Sequence, residues 1–414
     1  MESSAKRDFD LILVGATGFV GRLTAAHLAE HAPAALRIGL AGRSADRLAA
    51  ARSELPDAAG EWPLITVQVT EAAAARQLAG QARVVVSAAG PYLRCGLPLV
   101  GACAEAGTHY ADLSGETLYV HRSIEAADER ARQTGAKIVH SCGFDSVPSD
   151  LGVGLMAQQA AADGEGGLVE AVLHVRSLRG GISGGTIDSL RQQILEGEQD
   201  EAARALTSDP QALVDDPSGR LYGSEPGTSR GPLGIGRDGP DDSWSAPFVM
   251  GVYNRQIVMR SNFLSDWSYG REFRYREVVD SGRGLPGLLR ATSVAVGGAA
   301  LMAGMWLAPT RAVLDRLLPD PGQGPSAKSR KDGKFHVEIE ATTTTGRSYR
   351  ATVGADLDPG YDGTAVMLGE SGLSLVCDDL GERAGVLTPM TAIGPSLAAR
   401  LRTRGFTVSV ERKE

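Results

Sequence analysis

Only four cysteines occur in 414 residues: Cys95, Cys103, Cys142 and Cys377. No two of them form a CxxC pair, and none stands at a zinc spacing from a histidine. A disulfide framework and a metal centre are therefore not expected. Three of the thiols read as small buried hydrophobes of a reducing compartment, and Cys142 is taken with the site candidates below. Basic residues are also short, 42 Lys and Arg against 50 Asp and Glu, for a formal net charge of -8. That balance gives no global attraction for nucleic acid, so no nucleic-acid partner is expected. Met1 to Asp10 lacks the charged-then-apolar layout of a secretory leader, and the expectation is a cytoplasmic protein.

Long apolar runs are nearly missing. The exception is 291–310, ATSVAVGGAALMAGMWLAPT, which carries no charge. It is barely long enough to span a bilayer, its Ala and Gly are weakly apolar, and Pro309 ends it. The favoured reading is a helix, 291–308, that is buried or faces a partner such as a second copy of the chain. The alternative is peripheral attachment to a lipid surface, with Arg283, Arg290 and Arg311 flanking the run.

The first 150 residues alternate between strand and helix patterns. Asp10–Val14 is a short apolar strand, followed by a glycine-rich turn and a helix to Ala29. Further strands are expected at 36–41, 64–69, 84–88, 108–113 and 137–140, with helices at 45–55, 98–106 and 118–134. This grammar means a parallel sheet with helices on both faces. After residue 150 the pattern changes to longer strands: 168–178, 255–263, 271–279, 335–341 and 348–353, the last two joined through Thr345-Gly346. The expected class is α/β, an N-terminal Rossmann doubly wound parallel sheet (1–150) with a second α+β domain built on a largely antiparallel sheet (151–380). A long surface excursion is expected at 199–242 and another loop at 319–334. A C-terminal helix is expected to begin at Thr388-Pro389, in a segment 381–414.

Between the first strand and helix lies Gly15-Ala16-Thr17-Gly18-Phe19-Val20-Gly21. In that context glycines reverse the turn, admit a pyrophosphate near the backbone and let helix and strand pack closely. Unpaired amides at the helix start then hold the phosphates. The spacing is GxxGxxG rather than GxGxxG, so the loop differs in detail. The second strand ends in Arg43-Ser44 with no carboxylate there. A guanidinium suits a 2′-phosphate, so NADP(H) is the expected cofactor. Small residues after the fourth strand, Ala88, Ala89, Gly90 and Pro91, complete the expected cofactor contacts.

Seven segments then point to a family: GATGFVG (15–21), AGRS (41–44), SAAGPY (87–92), GTHYADLSGE (107–116), SCGFDSVPSDLG (141–152), GGISGGTIDS (180–189) and GVLTPM (385–390). Together they resemble the saccharopine dehydrogenase-like oxidoreductases, and within them the trans-acting enoyl reductases of complex-lipid pathways. The resemblance is collinear over most of the chain outside 199–242. It implies an NADP-binding Rossmann domain, an inserted second domain completing the site, and a C-terminal helix that returns to the first domain. It also implies hydride transfer to an activated double bond in a carrier-bound acyl or polyketide chain.

Such a reduction requires stabilising an enolate and delivering a proton. Tyr92 and Asp145 are the leading candidates, followed by His109, Tyr110 and Cys142; each has a plain packing or capping alternative. The turn Gly180–Gly185 opens a helix and could meet an anionic group or serve only as a flexible crossover. Seven arginines against four acidic residues in 251–290 could meet an acidic carrier or be a solvated face. Two other functions stay open: an imine- or amine-forming dehydrogenase, for which Arg176, Arg179 and Arg255 are available, and a non-catalytic NADP-binding scaffold on lipid surfaces.

Overall fold

The strand β1 (Phe9–Val14) is FDLILV, apolar from Leu11 onward because both of its faces are covered. Five residues later the helix α1 (Phe19–His31) begins. The computed structural model describes residues 7–180, 184–216, 232–239, 242–306, 310 and 330–413. In the first unit follow β2 (Ile38–Gly42), α2 (Ala45–Ser53), β3 (Leu64–Thr66), α3 (Ala72–Gln81) and β4 (Ala82–Ser87). Next come α4 (Tyr92–Cys95), α5 (Leu97–Ala106), β5 (His109–Asp112), α6 (Thr117–Thr134) and β6 (Lys137–Val139).

The second unit runs from α7 (Val147–Ala162) through β7 (Leu168–Arg179), α8 (Gly184–Gln199), α9 (Glu201–Ser208), β8 (Gly236–Gly239), β9 (Ser243–Pro247) and α10 (Gly251–Leu264). It continues with β10 (Arg274–Gly282), α11 (Gly284–Trp306), β11 (Lys334–Thr343) and β12 (Ser348–Ala355). The chain closes with α12 (Thr364–Cys377), β13 (Gly385–Leu387), α13 (Pro389–Thr403) and β14 (Thr407–Arg412).

The first sheet has the order β13-β6-β5-β4-β1-β2-β3, and every pair in it is parallel. The central six strands read 3-2-1-4-5-6, the doubly wound order whose ligands bind beyond the carboxyl ends of the strands at the point of reversal. The second sheet has the order β14-β12-β11-β7-β10-β9-β8. It is antiparallel except where β10 runs parallel to β7. Between the sheets, α7, α10 and α13 pack against one another, and α7 lies on β7, β11, β12 and β14. One contiguous core joins Leu11, Leu13 and Val84 of the first sheet to Val337, Ile339 and Ala351 of the second.

Several expectations are corrected by this arrangement. Residues 255–263 are not a strand but the body of α10. Most of that helix is buried, including the polar Asn254, Gln256, Ser261 and Asn262, so its sequence shows no clear amphipathic stripe. A fully buried helix and a buried strand look alike in a short apolar run. The excursion 199–242 is not all surface. It contains α9 and buries Ala212 and Leu213. Arg260, itself buried, donates to the Leu213 carbonyl at 2.7 Å, and Gln256 donates to the Asp209 carbonyl at 2.8 Å. Its remainder at 217–231, and most of the 319–334 loop, lie outside the described residues.

The C-terminal segment also differs from expectation. Pro389 and the reciprocal Thr388–Thr391 capping box do start α13. Before it, however, β13 extends the first sheet beside β6, and after it β14 closes the edge of the second. The helix α12, which falls within the expected second domain, instead lies on the first sheet. A Cβ on Gly372 would stand 2.6 Å from Val86, and one on Gly369 would stand 2.7 Å from the His27 ring. These two glycines let α12 settle against β4 and α1.

Buried charges staple the layers. Glu370 of α12 meets His27 of α1 at 2.9 Å and Arg404 at 2.6 Å. Burial alone would raise its carboxyl, yet His27 and Arg404 hold it down at about 2. Asp150 of α7 accepts from the Met390 amide at 2.7 Å, at the start of α13, and from Ser261. Burial outweighs those bonds and pushes its carboxyl up to about 7.

The two groups act oppositely on stability. Glu370 is depressed, so its contribution is present above its unfolded value near 4.5 and is lost as pH falls toward 2. Asp150 is raised, so the folded state retains its proton longer. Its contribution is present below an unfolded value near 3.8 and is lost as pH rises through about 7. Urea unfolding at acidic and at mildly alkaline pH should show Asp150→Asn gaining on the wild type as pH rises. Parallel pH profiles for the two proteins would contradict the assignment.

Candidate cofactor and active site

Three loops at the carboxyl edge of the first sheet meet at the reversal between β1 and β4. The first is the turn 15–21. Gly15 has φ +82, and a Cβ there would lie 2.9 Å from the Ala88 carbonyl carbon and the Ala89 amide nitrogen. The β4–α4 loop therefore passes directly against it. A Cβ on Gly21 would lie 2.1 Å from the Gly15 carbonyl oxygen. That approach brings the first turn of α1 hard against the end of β1. Gly18 is the N-cap of α1, and no side chain caps the helix. Its first amides and the positive end of its dipole thus face the groove, as a phosphate-binding turn requires. The cradle is one that any Cβ would fill, and it fits a pyrophosphate.

The second loop is Gly42-Arg43-Ser44 after β2. Arg43 is exposed beside the turn. Ser44 is the N-cap of α2, accepting from the Arg47 amide at 3.4 Å, so it helps fix the loop that presents Arg43. The nearest carboxylate, Asp46, is in the first turn of α2.

The third loop is Ala88-Ala89-Gly90-Pro91, which ends in a cis Gly90-Pro91 peptide and leads into α4. Its shape is held by Glu116. This buried carboxylate accepts from the Tyr92 amide at 2.9 Å and the Leu93 amide at 2.7 Å, satisfying the start of α4. Burial pushes the Glu116 carboxyl up, while Ser189 and the two amides draw it back. The Ser189 hydroxyl of α8 donates to it at 2.6 Å. A helix of the second unit is thereby bonded to the residue that shapes the β4–α4 loop.

The structure gives each titratable candidate a definite surrounding. Tyr92 is buried and its hydroxyl is used twice, donating to the Ser87 carbonyl at 2.9 Å and accepting from the Leu113 amide at 3.2 Å. Burial, with Asp112 and Glu116 nearby, holds this phenol well above its ordinary value. This is the geometry of a bolt between the ends of β4 and β5 rather than of an open proton donor. His109 accepts from the Lys137 amide at 3.0 Å, and burial pushes it down to about 4. Tyr110 and Cys142 are fully buried in the core, and burial pushes the Cys142 thiol up. Asp145 is half-buried in the loop between β6 and α7. One of its carboxylate oxygens lies 3.8 Å from where a Cβ on Gly115 would stand, and it acts electrostatically on Tyr253 and Glu277. It is not the cap of α7, because Ser146 takes that position.

Asp112, at the end of β5, anchors a wholly buried network. Its carboxylate meets His140 Nδ1 at 2.8 Å, the Tyr119 hydroxyl at 3.1 Å and the Ser114 amide at 2.9 Å. His140 Nε2 faces the Ser123 hydroxyl at 2.8 Å. Among the described residues, no group of three or more His, Cys, Asp or Glu side chains could hold a metal ion. Of the Gly180–Gly185 turn, 181–183 lie outside the described residues.

Comparison with known proteins joins this geometry to a family. The family described as the saccharopine dehydrogenase NADP binding domain matches residues 11–139, the stretch that builds all three loops. A trans-acting enoyl reductase of Mycobacterium ulcerans is 44% identical over 421 residues, covering 99% of each chain. One from Mycobacterium tuberculosis is 41% identical over 422 residues, again covering 99% of each. The chain belongs to the trans-acting enoyl reductases.

Its fold is that of the saccharopine dehydrogenase-like oxidoreductases. Saccharopine dehydrogenase (L-Glu forming) from Saccharomyces cerevisiae superposes with a TM-score of 0.53 at 14% identity, covering 98% of this chain and all of that one. Homospermidine synthase from Legionella pneumophila superposes with a TM-score of 0.50 at 11% identity, covering 98% of this chain and 91% of that one. Within this trans-acting enoyl reductase the residues grouped in one groove are Gly15, Gly18, Gly21, Arg43 and the stretch 88–91. Tyr92 and Glu116 stand behind them as supports.

The cradle makes a sharp prediction. Gly21→Ala, which forces a methyl group into the Gly15 carbonyl, should abolish fluorescence-detected nucleotide binding. Gly80→Ala, whose Cβ meets nothing within 4 Å, should bind like the wild type. Equal binding by both variants would remove the turn from the cofactor site.

Proposed function

We propose that this enzyme uses NADPH to reduce the activated C=C bond of an enoyl thioester carried on a lipid or polyketide-type acyl chain. The relatives' shared name supports the reaction. The observation that carries the cofactor choice is Arg43, exposed at the end of β2 with no carboxylate in the position that would grip a ribose 2′-hydroxyl. The 15–21 turn and its helix amides would hold the pyrophosphate, and Arg43 with Ser44 the 2′-phosphate. Ala88, Ala89, Gly90 and Pro91 would wall the path toward the nicotinamide. When bound, NADPH supplies the hydride.

The chain's own residues do the rest. Glu116 and Tyr92 keep the 88–93 loop in register with β5, so the nucleotide is oriented before substrate arrives. Through the Ser189–Glu116 hydrogen bond, α8 of the second unit is tied to that loop. Asp145, half-buried where the β6–α7 loop faces α10, is the group we assign to delivering or directing the proton to the substrate α-carbon. Tyr92 is assigned as a positioning residue.

Removing a charge-assisted contact to phosphate costs about 1.5–3 kcal/mol, or roughly ten- to a hundredfold in affinity. Arg43→Ala should therefore weaken NADPH by that factor while leaving NADH almost unchanged, measured by fluorescence titration. Equal loss for both nucleotides would refute the 2′-phosphate role.

In steady-state assays with an enoyl thioester, Asp145→Asn should lower kcat and leave the NADPH Kd unchanged. Tyr92→Phe should raise that Kd with the smaller effect on kcat. The reverse pattern would exchange the two assignments. NADPH bound tightly but never consumed with any enoyl thioester would overturn the reaction itself.

A further inference from the structure

Among the described residues, the helix α11 packs along one side, chiefly on β9 and β10. Over Gly284–Met305 it is long and apolar enough to cross a membrane, yet only 12% of its most apolar window is buried. Leu285 is 67% exposed, Leu289 59% and Val296 48%. At 3.6 residues per turn these three, with exposed Ala300, fall on one stripe. Of the sequence reading, a buried or partner-facing helix, burial within the chain is not seen among the described residues. A helix with so little polarity is normally covered by protein or lipid.

Two observations say what covers it. The first is charge. From 281 to 314 the sequence contains no Asp or Glu, in a chain that holds 50, and its only charges are Arg283, Arg290 and Arg311. The acidic residue just before, Asp280, is engaged by His174 at 2.9 Å and by Arg176. In a protein of net charge -8, this apolar helix thus carries no negative charge, and Arg283 and Arg290 stand exposed at its start. That pattern complements an anionic headgroup layer, with arginine heads reaching the phosphates while the apolar stripe sinks below them.

The second is attachment. The helix is clamped at its start, where a Cβ on Gly287 would lie 2.0 Å from the Gly282 carbonyl oxygen and 3.2 Å from the Trp244 ring. It packs along β9 and β10. One side is held on the sheet and the other is exposed among the described residues, which suits a helix lying in the surface of a bilayer and not one threading through it.

We propose that α11 is a monotopic docking helix that seats this enzyme on an anionic phospholipid surface. The proposal goes beyond the enoyl-reductase reading and does not depend on it.

Flotation of the full-length protein with phosphatidylcholine vesicles, with and without phosphatidylglycerol, tests it. The wild type should float with the anionic vesicles, far less with the neutral ones, and less as salt is raised. The triple variant Leu285→Asp/Leu289→Asp/Val296→Asp should stay at the no-lipid level while still binding NADPH. Should the triple variant fail to fold, the single change Val296→Glu reads out the same loss. Arg283→Ala/Arg290→Ala should remove the preference for anionic over neutral vesicles. A wild type that ignores anionic vesicles, or aspartate variants that float as well as it does, would overturn the proposal. So would a dimer that sediments as such, dissociates with the aspartate changes and binds no vesicle; it would assign the face to a second copy of the chain.

Discussion

The site depends on two backbone approaches that only glycine permits. Gly21 brings α1 against the carbonyl of Gly15, and Gly15 in turn lies against Ala88 and Ala89. With any side chain at either position, helix and strand separate, the first amides of α1 leave the groove, and the β4–α4 loop loses the surface it rests on. The rest of the first unit serves that contact. The parallel order around β1 and β4 puts both loops at one edge, and β2 delivers Arg43 beside them. Glu116 and Tyr92 then hold the far loop in place from behind.

The same edge is where the second unit becomes necessary. Ser189 reaches Glu116, so α8 is hydrogen-bonded to the residue that shapes the β4–α4 loop. The helices α7, α10 and α13 fill the space between the sheets, and their buried polar groups, Asp150 and Arg260 among them, are each bonded across an element boundary. A second unit bonded to the proposed cofactor loop is suited to a reaction in which hydride must be kept from water.

Much of this was legible in the sequence. Parallel strands buried on both faces show as apolar runs, and glycines between a strand and a helix have a direct physical reading, so the first sheet and the 15–21 turn could be read off. Arg43 was legible because a strand end without a carboxylate is itself a signal. What was hidden depended on burial from several sides. The helix α10 has no stripe, because its polar residues find partners inside. The helix α12 is an apolar helix whose glycines match a distant sheet, a fit no local pattern reports. Tyr92 stood at a suggestive place, but its two hydrogen-bond partners come from separate strands and only the folded chain brings them to it. Glu116 lacked a signal of its own beyond lying in a polar, glycine-containing loop.

The central claim is that the turn at 15–21 and the loop at 88–92 together hold the nucleotide. Amide hydrogen exchange with and without saturating NADPH tests it most directly. The account predicts new protection at the amides of Phe19, Val20 and Gly21, at Arg43 and Ser44, and at Ala88 to Gly90, with the outer strand Thr407–Arg412 unchanged. Tight NADPH binding with no change in exchange at those amides would contradict it.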